Sequence, residues 1–321
     1  MCNNTTPKKD SLYTLLVNSC DAYEDSWIPF FSLLAKYWNP VDIHILLNTE
    51  TKSFSFDGLD IECIHSSVGC PYGKRMKNAL SFVNTPYVFV LLDDFFIRKP
   101  VDIDRIDKVI SWMEADPDIA CFTSDCTKTY ANWELNKYPG FRRVPPGNPF
   151  TLNLQAAIWR TNIFRSYWLP NVSPWEWEEY SNVLTISRPK HKFYCTTDWK
   201  YALCDYGYAS SGMGIYHGQW VIDDVAPLFE KEQIIVDFSI RGSYSGVQSR
   251  QDIGSPESRN ALLSRVYRCL GLGGTLSFLL FCVTKRIPGS LSATQRDYFT
   301  FLIERARKKF YRDNNQLINS H

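Results

Sequence analysis

Four stretches of this chain are apolar almost without a break: LYTLLVNS (12–19), VDIHILLNT (41–49), TPYVFVLLDD (85–94) and IACFTS (119–124). A strand with one face in water alternates apolar and polar residues, so a run that does not alternate needs cover on both sides. The cover lies between the runs. AYEDSWIPFFSLLAKYW (22–38) places apolar residues at 27, 30, 31, 34 and 38, the spacing of a helix face. GKRMKNALSFV (73–83) and DIDRIDKVISWMEAD (102–116) read the same way, and DIECIHS (60–66) adds a shorter strand. The pattern predicts an α/β fold, a mostly parallel, Rossmann-like sheet with helices on both faces.

Beyond residue 125 the alternation loosens. The Pro- and aromatic-rich NKYPGFRRVPPGNPF leads to TLNLQAAIW (151–159), read as a strand, and a helix ending near Trp168. The segments up to GIYHGQWV are short and rich in turns, and from about Pro256 the pattern is helical, broken at GLGG and IPGS. The expected organisation is a catalytic-size domain over 1–254, with halves at about 12–125 and 126–254. A basic amphipathic helical tail would occupy 255–321.

Charge divides the chain at the same place. From Ser255 onward 11 Lys and Arg face 4 Asp and Glu, whereas the first 254 residues hold 24 basic and 30 acidic ones. A neutral-to-acidic body is no nucleic-acid partner, but the tail suits an anionic surface. Its longest apolar run, LSFLLFCV (276–283), is far short of a membrane span of about 20 residues. The ten cysteines, Cys2 to Cys282, form no C-x-x-C pair, and the N-terminus, MCNNTTPKKDSLY, is polar. They read as reduced thiols, and the location expected is cytoplasmic, with the tail as a peripheral contact to the inner face of the membrane.

The sharpest local feature is the end of the third run, where Asp93 and Asp94 stand side by side. Adjacent carboxylates repel, and a desolvated carboxylate is costly unless a cation or hydroxyl donors compensate it. In an open α/β sheet, ligands bind at the carboxyl ends of strands, which is where Asn18 and Asp93–Asp94 fall. The first strand–helix turn, NSCDAYED, has no G-x-G-x-x-G, and no G-x-x-x-x-G-K-[ST] occurs. That disfavours dinucleotide and P-loop nucleotide binding.

LVNSCDAYEDSWIPFFSLLAKYW, GKRMKNALSFVNTPYVFVLLDDFFI, NLQAAIWRTNIFRSYWLPNVSPWEWE, HGQW and VDFSIRG together resemble, in their order and spacing over roughly 12–245, the GT-A fold glycosyltransferases. The resemblance is to family-2-like bacterial enzymes of capsule, O-antigen and exopolysaccharide assembly. It implies an enzyme that moves a sugar from a nucleotide sugar, UDP-linked by expectation, to a saccharide or lipid-linked saccharide acceptor. Asp93 would face the ribose or uracil, and Asp94 would hold a divalent Mn or Mg ion on the diphosphate. The chain departs from the D-x-D pattern at Phe95, where the second acid would stand, and this puts metal use in question. His217 is a candidate further ligand, or a hydrogen-bonded loop residue. Arg75 and Asn78 are candidates for nucleotide contacts, with a solvated helix face as the alternative. Asn18 and Asp21 fit a uracil edge or plain turn chemistry.

Inverting transfer needs a general base. The candidates are Glu176 and Glu178 in NVSPWEWEEY, of which Glu176 is favoured although Ser173, Pro174 and Glu176 also spell a helix start with a capping box. Trp133, Trp175, Trp177 and Trp220 are candidates to stack on sugar rings, and Gln155 to bond a sugar hydroxyl. A retaining transferase, a sugar nucleotidyltransferase and a non-catalytic carbohydrate-binding protein are the rival readings.

Overall fold

The computed structural model describes residues 11–39, 42–124, 137–144, 151–186, 188, 190–207, 213–244, 264, 267 and 272. The basic tail, for which a membrane contact is expected, and Trp133 therefore lie outside the described residues, apart from Ser264, Tyr267 and Leu272 of the tail. Among the described residues no helix is long and apolar enough to cross a membrane.

The strands are β1 (Tyr13–Asn18), β2 (Ile45–Thr49), β3 (Ile61–His65), β4 (Tyr87–Leu92), β5 (Ile119–Thr123), β6 (Phe141–Val144), β7 (Ala157–Arg160) and β8 (Lys192–Thr196). They form one sheet in the order β3-β2-β1-β4-β7-β5-β8-β6. β1 to β4 are mutually parallel, as are β5 and β8, while β7 runs antiparallel to both β4 and β5, and β6 antiparallel to β8. This is the mostly parallel α/β sheet that the apolar runs predict. β1, β2 and β5 are buried along their whole length, whereas the edge strand β3 alternates toward solvent.

Helices cover both faces. α1 (Glu24–Tyr37) and α3 (Ile103–Ala115) pack with α7 (Ile222–Lys231) on one core, which holds Trp27, Phe31 and Phe96. α2 (Tyr72–Ser81), α4 (Thr161–Tyr167) and α5 (Pro174–Tyr180) cover the other, with Met76, Phe164 and Trp177 inside it; the short α6 (Val183–Ile186) follows α5. Gly73 lets α2 approach this closely. A methyl group there would come within 1.9 Å of the Leu169 carbonyl oxygen, and the Gly73 amide donates to Val172 O at 2.9 Å. A small hairpin, β9 (Ile215–Tyr216) and β10 (Gln219–Trp220), precedes α7.

Two expectations need correction. The strand read over 151–159 exists only from Ala157; upstream, the Leu152 amide donates to Asn182 Oδ1 and the Leu154 amide to Glu178 Oε1, both at 2.7 Å. Side chains from the α5–α6 region satisfy the backbone that a neighbouring strand would otherwise have paired. β6 and β8 arise from FRRV and KFYCT, inside stretches read as loop. Each is four or five residues long and interrupted by charge, so no periodic signal develops.

Candidate functional site

The strand order reverses direction between β1 and β4: the chain runs outward through β2 and β3, then crosses back to the other side of β1. A crevice at such a switch point is where open α/β sheets bind ligands. The acid pair sits there. Asp93 follows the last residue of β4, and its amide donates to Asn18 O at the end of β1, at 3.3 Å.

Both carboxyls are sunk rather than displayed: Asp93 is 4% and Asp94 8% exposed. Asp93 accepts hydrogen bonds from the hydroxyls of Ser19 and, at 3.3 Å, Ser26, while Ser19 in turn accepts the Trp27 indole N–H at 2.6 Å. Burial pushes the Asp93 carboxyl from its ordinary 3.8 up to about 7, against the pull of those hydroxyls. Asp94 is driven well above the usual carboxylate range by burial and then by the charge of Asp93, with the Ile215 amide and Arg241 opposing. Two desolvated acids with one cation working on both from a distance form an electrostatic demand that a bound cation would relieve.

Arg241 is that resident cation. It pairs with Asp25 through Nε at 2.8 Å and through Nη2, and donates to Ala22 O at 2.6 Å. Its guanidinium lies 4.3 Å from the centre of the Tyr23 ring. The same C-terminal segment approaches Asp94 directly, with the Gly214 amide donating to Asp94 O at 3.0 Å.

Phe95 is buried, its ring stacked on Tyr206 with centroids 4.3 Å apart and planes at 13°. The Tyr206 hydroxyl donates to Gln155 Oε1 at 2.6 Å. Gln155, expected to meet a sugar, is thus tied to the aromatic stack beneath the acid pair.

Arg75 is buried and bridges the strand ends: Nη1 to Glu50 Oε1 at 2.9 Å, Nη2 to the carbonyls of Ser19 and Asn48. Asp21 accepts from the amides of Glu50, Thr51 and Lys52 and from the Thr51 hydroxyl. Although burial raises its pKa, these bonds together hold it at about 2. Asp21→Asn is expected to lower stability by about 1–2 kcal/mol at pH 7, read by urea denaturation. In the wild type that contribution is complete above pH 4 and is lost as pH falls through about 2, because the folded carboxyl binds its proton less tightly than the unfolded one. Equal midpoints for the two proteins at pH 7 would refute it. Asn78 donates to His65 O at 3.1 Å and to Ser66 Oγ, fastening the β3–α2 connection.

The five remaining aromatic and acidic candidates among the described residues separate cleanly. Trp177 is fully buried, stacked on Trp168 at 4.3 Å with its indole donating to Tyr167 O. Trp220 is fully buried among Phe96, Phe229 and Phe238. Neither offers a face to a sugar, and both are corrected to core residues. Trp175, 74% exposed, does offer one. Glu176 closes the predicted capping box with Ser173, both bonds being made. Glu178 instead accepts the Leu154 amide.

His217 lies exposed at the hairpin tip with φ 50°, followed by Gly218 at φ 79°. These left-handed angles are those of a two-residue type I′ turn. Among the described residues no group of three or more His, Cys, Asp or Glu side chains converges on one point. The donor chemistry available to a metal is therefore the aspartate pair itself: hard carboxylate oxygens, desolvated and short of positive charge. That fits one face of a Mn or Mg ion. Reading the sequence alone missed Ser19, Ser26, Trp27 and Arg241 around the pair. Ser19 stands beside Asn18 at the strand end; Arg241, 147 positions from Asp94, lies in VDFSIRG but receives no role at the pair from the sequence.

No family model matches the chain and no curated protein matches it. Solved structures similar to it include S. aureus TarS residues 1–349 in complex with UDP, with TM-score 0.46 and 11% identity over 97% of this chain and 92% of that one. Another structure of S. aureus TarS gives TM-score 0.39 and 12% identity; the match covers 59% of this chain and only 37% of that one. A Leptospira borgpetersenii cytidylyltransferase gives TM-score 0.38 and 11% identity, over 70% of this chain and 97% of that one.

Proposed function

We propose that this protein is an inverting glycosyltransferase of GT-A type. It would transfer a sugar from a nucleotide sugar, a UDP-sugar by preference, to a saccharide or lipid-linked saccharide in surface-polysaccharide synthesis at the cytoplasmic face of the membrane. The observation that carries this reading is the cation-deficient Asp93–Asp94 pair at the switch point between β1 and β4. A nucleoside diphosphate with a divalent ion is a ligand whose charges suit that location.

In this reading the residues divide the work. Asp93, holding the hydroxyls of Ser19 and Ser26, faces the ribose; Asp94 and the pair's remaining oxygens hold the metal. The ion, when bound, neutralises charge developing on the leaving diphosphate. An acceptor hydroxyl attacks the anomeric carbon, the bond from that carbon to the diphosphate oxygen breaks, and the hydroxyl proton passes to a carboxylate. Of the two candidate bases, Glu176 is engaged in the helix cap, while Glu178 accepts the Leu154 amide.

The test is a thermal-shift titration with UDP, UDP-GlcNAc, CTP and ADP, each with Mn²⁺ or with EDTA. At about 100 times its dissociation constant, UDP with Mn²⁺ is expected to raise the melting temperature by about 5 °C. No shift with any nucleotide sinks the reading; an equal shift in EDTA removes only the metal from it.

A further inference from the structure

Acidic residues avoid one side of this molecule. Residues 63–92, 135–175 and 180–197 hold 11 Lys and Arg and not one Asp or Glu, although the first 254 residues contain 30 acids. These runs supply α2, α4 and the turn that leads into β8, and the fold joins them on one face of the sheet. Arg165 of α4 donates to Leu80 O at 2.9 Å and to Val83 O, at the end of α2. Arg188 donates to Ser166 O at 2.9 Å, and its guanidinium lies 4.5 Å from the centre of the Tyr167 ring.

Six of the eleven cations are spoken for or belong to another strand. Arg75 pairs with Glu50, Lys137 and Lys192 pair with Asp116, and Arg160 donates to the carbonyls of Ile119 and Met113. Arg142 and Arg143 lie in β6. The other five are Lys74, Lys77, Arg165, Arg188 and Lys190, and among the described residues none of them pairs with a carboxylate. All are exposed except Arg188, which is half-buried. Lys74 and Lys77 follow one exposed stripe of α2, and Lys77, Ser81, Asn84 and Arg165 line a shallow hollow. Beside it Phe82 is 44% exposed. Leu12, 43% exposed, is tied in through its carbonyl, which accepts the Tyr87 amide, while the Pro86 carbonyl accepts the first amide of α4.

We propose that this face of the folded body is a docking surface for an anionic phospholipid bilayer. Cations converging on one point would suit a single ligand; these are spread over three segments, which suits an array of headgroups. Phe82 and Leu12 supply apolar groups that enter the interface and that a dissolved anion does not need. The tail after residue 255, itself net basic, is repelled by this face, and a two-fold pairing of two copies through it would set like charges together. The surface is therefore a contact separate from the tail. It uses none of the residues assigned to the crevice, so it stands or falls independently of the nucleotide reading.

The test is co-sedimentation of the full chain with phosphatidylcholine vesicles, with and without phosphatidylserine. Wild type is expected to bind only the anionic vesicles, and less as salt is added. Lys74→Gln, Lys77→Gln and Lys190→Gln together are expected to weaken that binding about 100-fold, at an unchanged melting temperature. Arginine at the same three positions keeps the charge and should bind as wild type does. Phe82→Ser should weaken vesicle binding about fivefold and leave binding to soluble polyphosphate unaltered. Absence of wild-type binding to anionic vesicles overturns the proposal, as does binding by the triple glutamine variant within twofold of wild type. An arginine variant that loses as much as the glutamine one overturns it too, since charge would not be the cause. If Phe82→Ser changes nothing and the glutamine variant loses polyphosphate as severely as vesicles, the face recognises a dissolved polyanion and the bilayer assignment is wrong.

Discussion

Asp94→Asn is expected to yield a protein that withstands heat better than the wild type and binds its nucleotide at least about 100-fold more weakly. The two effects have one origin. In the ligand-free fold the second carboxyl is desolvated and repelled by the first, so the neutral amide removes a cost. With ligand and metal present, the same charge is what holds them. Asp93→Asn should behave alike in stability, because an amide oxygen can still accept from Ser19 and Ser26. The wild-type pH profile gives the sign independently. Asp93 titrates near 7 when folded and at an ordinary 3.8 otherwise, so the folded protein binds the proton more tightly. Its contribution to stability is greatest below pH 4, declines as pH rises toward 7, and is flat above. In Asp93→Asn the part of the decline due to Asp93 should be missing, while the part due to Asp94, which burial also raises, remains. Melting temperatures for wild type and both variants between pH 4 and 8 would decide it: lower melting of the Asn variants at pH 8 refutes the account.

Gly73→Ala is expected to cost about 3 kcal/mol or more and to lower the melting temperature by roughly 5–10 °C. Alanine is ordinarily the better helix residue, by about 1 kcal/mol, so propensity predicts the opposite sign. Contact decides. The added methyl would meet the Leu169 carbonyl oxygen at 1.9 Å and Val172 Cγ2 at 2.9 Å, and the first of these is backbone, which cannot rotate away. α2 would have to lift from the turn leading to α5. Chemical denaturation measures the loss, and a stability equal to wild type would show that the two helices can part without cost.

How much of this was legible in the residues differs by level. The layered sheet followed from the uninterrupted apolar runs, because a strand buried on both faces leaves few architectures open. The helix start at Ser173 was legible down to its hydrogen bonds, since a capping box is wholly local. What the sequence hid depends on distant partners. Trp177 stands in the short α5 and Trp220 in the two-residue β10, and only the packing of Trp168 or Phe96 against them reveals two core residues. The position of Asp93 and Asp94 at a strand end was readable; their depth was not, because the covering segment arrives from Gly214 and Arg241, more than a hundred residues later.

Phe95 offers a lesson for anyone who would redesign this protein. An obvious experiment is to install aspartate there, restoring the spaced acid motif and inviting tighter metal binding. The ring, however, is half of a two-layer aromatic sandwich with Tyr206, itself anchored by Gln155. A third carboxylate at that depth would face a phenol ring instead of an ion, with Asp94 next to it in sequence. Phe95→Asp would therefore subtract a structural rivet without adding a ligand. In this chain, spacing along the sequence is a poor guide to which positions can be recruited for metal chemistry, and engineering for altered metal use should begin at the crevice rim.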